Sequence, residues 1–171
     1  AREFAVLLNA CGRLEKYSIA LALGLGYRHK VLLKALNILN SYRRLLSKAI
    51  EKVYSGEPIV GTYKNIFVID LRDFLPPNVA GSLASIISTS RIIKTSKIIV
   101  VIAGKKKAKM SLRLPDNISY KNIHLGRIVC EIAEKFNAFG GGHSRAAGVQ
   151  IQVEKVDDFL HVLDQTLTLL T

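Results

Sequence analysis

Apolar positions follow two regimes along the chain, and the change comes at Ser55–Gly61, where Ser55, Gly56, Pro58 and Gly61 gather. Before that point the spacing is helical. The clearest stretch runs from about His29 to Val53, where Leu32, Ala35, Leu36, Leu39, Tyr42, Leu46, Ala49 and Val53 recur at three-four intervals and make one face of a helix. The opposite face holds Lys30, Lys34, Asn37, Ser41, Arg44, Lys48 and Lys52, five of them basic, with only Glu51 breaking the sign. A helix rises about 1.5 Å per residue, so this positive stripe is roughly 35 Å long. It reads either as a solvated lysine face or as a track for nucleic acid.

After Gly61 short β-branched runs alternate with amphipathic ones. Ile66–Asp70 predicts a buried strand, and Asn78 is placed to cap a helix that continues through Leu83, Ile86 and Ile87. Lys97–Ala103 predicts a second buried strand, turned at Gly104 into a hairpin partner at Met110–Leu114. A helix from His124 to Phe136, a glycine-rich loop, a strand over Ala147–Val153 and a helix over Asp157–Leu170 complete the pattern. The expected fold class is α/β: a helical N-terminal segment over residues 1–57, then a small mixed-sheet domain over 58–171.

Composition narrows the class. An apolar fraction of 49% and a mean hydropathy of +0.24 over 171 residues exclude a disordered chain. The longest notable apolar run, Ile98–Ala103, is far short of the roughly 20 residues of a membrane span. Two cysteines, Cys11 and Cys130, frame neither a disulfide scaffold nor a zinc site, which fits a reducing, cytoplasmic setting. Neither a methionine nor a signal peptide opens the chain, and Ala1 begins inside what reads as structure, so a piece of something longer is expected. The net charge of +12 reads either as a solubility margin or as the mark of a polyanionic partner, nucleic acid before any anionic membrane surface. The charge is clustered at Lys105, Lys106, Lys107, Lys109 and Arg113. At a hairpin turn, such cations either keep a sheet edge from pairing or contact phosphate.

Gly140-Gly141-Gly142-His143 continues as Ser144-Arg145-Ala146-Ala147-Gly148. Three glycines together cost chain entropy, so bare backbone is required there. Such a run can wrap an anion with main-chain N–H groups, with His143 and Arg145 as flanking donors; the alternative is a flexible turn with a surface histidine. This nine-residue string resembles the GGGHxxAAG signature of the domain that accompanies DHH-family phosphoesterases. Near the other end stands Leu8-Asn9-Ala10-Cys11-Gly12-Arg13-Leu14. Taken alone it is a small-residue turn in which Arg13 either forks onto a phosphate or pairs with Glu3 or Glu15. It resembles the NAxGR motif of RecJ-type nucleases, most closely that of archaeal RecJ-like proteins.

These resemblances imply a C-terminal part of such a protein: the helical tail of a DHH domain, then the DHH-associated domain. They imply single-stranded DNA, or RNA, as the partner, held by Asn9, Arg13, Lys105, Lys106, Lys107, Gly140, Gly141, Gly142, His143, Ser144 and Arg145. Metal ligands do not carry over. The chain has no Asp-His-His, and its aspartates, Asp70, Asp73, Asp116, Asp157, Asp158 and Asp164, form no Asp-x-Asp. No catalytic residue and no cofactor is therefore expected in this chain; Mn or Mg would act only with a DHH domain, in cis or in trans. With no Trp, the strand is expected to be held by its backbone more than by base stacking. A rival implication is a replication scaffold, because archaeal RecJ-like proteins associate with the GINS complex.

Overall fold

The computed structural model describes residues 2–57, 59–60, 63–90, 93, 95–116 and 123–170. Residues Pro58 and Gly61 of the expected link lie outside them. Three helices come first: α1 (Arg2–Arg13), α2 (Tyr17–Gly24) and α3 (Lys30–Ser55). The three-four spacing reads directly into α3, where Ala35, Leu39, Tyr42, Ala49 and Val53 are buried while Leu36 stays exposed. The basic side chains of Lys30, Lys34, Arg44 and Lys48 are exposed. Lys52 is an exception: it is half-buried, 2.9 Å from Glu57, and lies over the Phe74 ring at 5.7 Å. The chain divides into two compact units, Ala1–Glu51 and Lys52–Thr171.

In the second unit a six-stranded sheet has the order β1-β2-β3-β4-β6-β5, with β1 (Ile59–Val60), β2 (Ile66–Asp70), β3 (Ile98–Ala103), β4 (Lys107–Arg113), β5 (Phe139–Gly142) and β6 (Ala146–Gln152). The pair β2 and β3 is parallel, joined by a crossover through α4 (Ala80–Thr89); every other pair is antiparallel. Helices α5 (Leu125–Lys135) and α6 (Val156–Leu170) follow β4 and β6. The mixed α/β class is the expected one.

The ladder register sorts the side chains of β2, β3, β4, β5 and β6 onto two faces. Ile66, Val68, Val100, Ile102, Met110, Leu112, Val149 and Ile151 share a buried cluster with Val129 and Ile132 of α5 and Phe159 and Leu163 of α6. On the opposite face α4 covers β3 and the C-terminal half of β4: Arg113 Nε donates to Ser85 Oγ at 3.1 Å, and a Cβ on Gly81 would lie 3.5 Å from Ser111 Oγ. Asp164 of α6 accepts the backbone N–H groups of Lys64 and Asn65 at 3.0 and 2.7 Å, tying that helix to the start of β2.

Three local expectations are corrected. Asn78 does not cap α4. It sits inside a single 3-10 turn, Pro77–Val79, that runs straight into the helix with no side-chain cap; Pro77 presets φ at the entry, so the turn rather than an amide starts the helix. The hairpin after Gly104 begins earlier than Met110, because β4 starts at Lys107. Gly104 makes that tightness possible: its φ is +94°, and a Cβ there would lie 2.6 Å from the Lys107 carbonyl oxygen. Finally, the glycine-rich loop is not a loop. Phe139–Gly142 pairs with β6 as the outermost strand.

Candidate functional site

The GGGH string is therefore one side of a β-hairpin. The His143 N–H donates to the Ala146 carbonyl at 2.7 Å and closes the turn. The turn's carbonyls are used as well: Leu125 N–H donates to Ser144 O and Gly126 N–H to His143 O, both at 3.0 Å. The first amides of α5, ordinarily open to an anion, are thus taken up in holding the hairpin. His124 caps the same helix, its Nδ1 accepting from Arg127 N–H at 3.2 Å. A nest of successive N–H groups around the triple glycine does not form, because strand pairing and turn closure claim those groups alternately.

The three glycines then have different reasons. A Cβ on Gly140 would lie 2.9 Å from the Ala133 Cβ and 3.0 Å from the Val129 Cγ1 of α5. On Gly142 it would lie 2.3 Å from the Ala146 carbonyl oxygen, and on Gly126 2.2 Å from that of Gly142. Helix and hairpin touch backbone to backbone there. Gly141 points the other way, at φ +159°, and a Cβ on it would meet nothing within 4 Å. Directly across the ladder from Gly141 stands Gly148. Packing accounts for Gly140 and Gly142 and leaves Gly141 bare.

The face that carries Gly141 also carries Phe139 of β5; Ala146, Gly148, Gln150 and Gln152 of β6; and Lys107 and Lys109 of β4. Among the described helices of this unit, α4 alone reaches it, over half of β4. Gly142, His143, Ser144 and Arg145 are exposed at one end of it. Arg145 is partly committed: a guanidinium nitrogen donates to the Pro115 carbonyl at 2.7 Å and lies 3.5 Å from Asp116.

The expected basic turn separates into parts. Lys105 and Lys106 are exposed in the turn, and Lys105 reaches Asp73 at 3.6 Å. Lys107 is the first residue of β4, opposite Gln152, which places it on the uncovered face. Asn9 and Arg13 belong to the other unit. They lie not in a turn but in the last turn of α1, four residues apart and so on one side of the helix. Asn9 is exposed and Arg13 half-buried. Cys11, on the opposite side of the helix, is buried, and burial pushes its thiol up from the ordinary value, as expected for a small packing side chain rather than a nucleophile.

The carboxylates do not assemble a metal site. Asp70 is held by Arg72 through several hydrogen bonds, the shortest 2.6 Å, and those bonds in turn raise the guanidinium above its usual range. Asp164 is occupied by the two backbone amides, and Asp157 and Asp158 stand in the first turn of α6. Among the described residues no group of three histidines, cysteines or carboxylates could hold an ion. Nor is any helix there long and apolar enough to cross a membrane.

A mixed sheet with one half sandwiched between helices, ending in a glycine-rich hairpin buttressed by a helix N-terminus, defines the class of small α/β domain to which this chain belongs. The model of the DHHA1 domain matches residues 64–169, and the chain is a member of that family. Among solved structures it is similar to RecJ in complex with Mn²⁺ from Thermus thermophilus, with TM-score 0.69 and 20% identity over 95% of this chain and 23% of that one. It is also similar to an exonuclease RecJ bound to manganese (TM-score 0.62, 22% identity, 95% of this chain and 39% of that one). CDC45 from Entamoeba histolytica is more distant, at TM-score 0.51 and 12% identity over 78% of this chain and 29% of that one. At these identities the likeness is one of fold. The chain spans about a quarter of the length of the Thermus RecJ. No curated protein matches it in sequence.

The GGGH string thus leads to the DHH-associated domain, and the alternation after Gly61 to its α/β class. What sequence reasoning misses is Phe139. In the sequence it stands between a helix and a glycine-rich stretch, and only the edge position of β5 exposes it. The signal available is the parity with Gly141, which becomes visible once 139–142 is taken as a strand.

Proposed function

We propose that this chain is the single-strand-holding module of a RecJ-like DHH exonuclease, gripping backbone phosphate beside Gly141 and His143. The observation that carries the reading is Gly141: it is bare on an exposed face, opposite a second glycine, with no packing reason for lacking a side chain. Bare backbone lets a sugar-phosphate chain come close. His143, Ser144 and Arg145 are exposed at the turn, and ladder alternation sends the Gly142 N–H to the outer edge as a further donor. Lys107 and Lys109 on the same face, with Lys105 and Lys106 in the neighbouring turn, supply salt-dependent attraction. Asn9 and Arg13, sharing one side of α1, form a second polar contact in the helical unit. Cleavage in this reading belongs to a DHH domain and its Mn or Mg, because the donor set here does not fit a metal.

The test is fluorescence anisotropy of labelled single- and double-stranded DNA across a salt series. Single strands are expected to bind more tightly, with affinity falling as salt rises. His143→Ala is expected to weaken binding by about tenfold, the scale of one lost hydrogen bond to a charged group, and Gly141→Val by a similar factor because its side chain blocks close approach to the backbone, with unfolding midpoints checked alongside. Unchanged affinity in both variants overturns the site. A second reading, a protein scaffold for replication partners such as GINS, draws on the exposed Leu21, Leu25 and Leu33, each more than 60% accessible in the helical unit. It becomes the better reading if no DNA binds at moderate salt.

A further inference from the structure

We infer that Phe139 is a stacking platform for one unpaired nucleobase, two residues along β5 from the phosphate position at Gly141. The inference rests on the strand-holding reading above and adds a base subsite to it. Among the described residues Phe139 is the most exposed of the large apolar side chains, at 89%. A phenyl ring in water on an outermost strand costs free energy and invites unwanted pairing, so its placement calls for an occupant.

Its neighbours say which occupant. Directly across the ladder is Gln150, and beyond it, in the same cross-strand row, Lys109. Lys107 and Gln152 form the next row on that face. Directly opposed side chains on a sheet stand about 5 Å apart, so ring, amide and ammonium groups share one surface. Around them lies a cavity of 460 Å³ lined by Phe139, Gln150, Gln152, Lys107 and Lys155. No acidic side chain lines it. An apolar ring face for stacking, amides for base edges and lysines for the flanking phosphates fit a single-stranded nucleic acid, and the positive charge disfavours a basic peptide.

The strand direction adds to this. Phe139 and Gly141 are alternate residues on one face, about 7 Å apart along β5. A base on the ring and a phosphate over the bare Gly141–Gly148 pair are therefore neighbouring parts of one nucleotide segment. The scarcity of aromatics suggests backbone tracking alone; one well-placed ring changes that for one base.

The experiment compares an oligothymidylate with an abasic strand of equal length, each titrated against the chain and two variants. The chain has no tryptophan, so Phe139→Trp supplies a single reporter at the platform. Wild type and Phe139→Trp are expected to prefer the base-bearing strand by about tenfold, and the indole emission to be quenched by that strand and not by the abasic one. Phe139→Ala is expected to bind both strands equally, at the wild-type affinity for the abasic strand and with an unchanged unfolding midpoint. Equal binding of both strands by wild type overturns the platform while the phosphate reading stands. If wild type binds neither strand, the phosphate reading falls and takes the platform with it. A preference that survives in Phe139→Ala overturns the platform, as does a change of oligomeric state on that substitution without loss of the preference, which would assign the ring to a protein partner on the β5 edge.

Discussion

The two faces of the β4–β6–β5 half-sheet share every backbone hydrogen bond and almost nothing else. On the covered face Met110, Leu112, Ala147, Val149 and Ile151 are buried against α5 and α6, and Gly140 and Gly142 are glycines because α5 side chains fill the space at the first and hairpin backbone the space at the second. On the exposed face Phe139, Gln150, Gln152 and Lys107 stand in solvent, and Gly141 is a glycine beside empty space. Alternation along each strand produces both from one sequence. A motif read as nine consecutive residues is thus two interleaved sets, one that builds the domain and one that is free to meet a ligand.

The comparison breaks most readily at the aromatic pair that the two faces offer. Phe159 of α6 is fully buried, its ring 5.7 Å from that of Phe136. Phe159→Ala is expected to cost about 3–5 kcal/mol of stability by denaturant titration. Phe139→Ala on the exposed face is expected to stay within roughly 0.5 kcal/mol of wild type. A large loss at Phe139 would mean that its ring is a packing element after all.

The glycines sharpen the same contrast on a smaller scale. Gly142→Ala drives a Cβ into the Ala146 carbonyl, where only backbone movement gives relief, and about 3 kcal/mol is expected. Gly141→Ala meets no atom within 4 Å, and only its backbone angle resists, so about 1 kcal/mol is expected. Equal midpoint shifts for the two would erase the division within the motif. Between helix and sheet, Asp164→Ala removes the acceptor of two backbone amides at the start of β2. A loss of about 1–2 kcal/mol follows from leaving them unpaired, with no change in DNA affinity.

The helix α3 and the strands β2 and β3 are legible in the sequence because their signals are local: three-four spacing, or a run of β-branched residues with nothing polar inside. The end of α1 at Asn9–Arg13 reads as a turn because Gly12 and its small neighbours lower helix propensity, and packing of Leu7, Ala10 and Cys11 overrides that. Phe139–Gly142 reads as a loop for a related reason. Three glycines carry almost no strand propensity, so what makes them a strand is their partner β6 and the helix pressed on them, neither of which is adjacent in sequence. The candidate site is legible as a string and not as a surface, since the separation of Gly141 from Gly140 and Gly142 depends on that strand assignment.

The smallest expected effect concerns the lysines. Lys109 is half-buried on the exposed face, in the row of Gln150 and Phe139, while Lys106 stands in the turn outside the sheet. If the strand lies along β5 and β6, Lys109→Gln removes a phosphate contact, and the slope of log affinity against log salt should flatten by about 0.7, the contribution of one neutralised phosphate on a single strand. Lys106→Gln, farther from that row, should flatten it less. Both changes lie at the surface and should leave stability within roughly 0.5 kcal/mol. The reverse order would move the path of the nucleic acid off the sheet and onto the turn, and the exposed face would then lose its claim to the ligand.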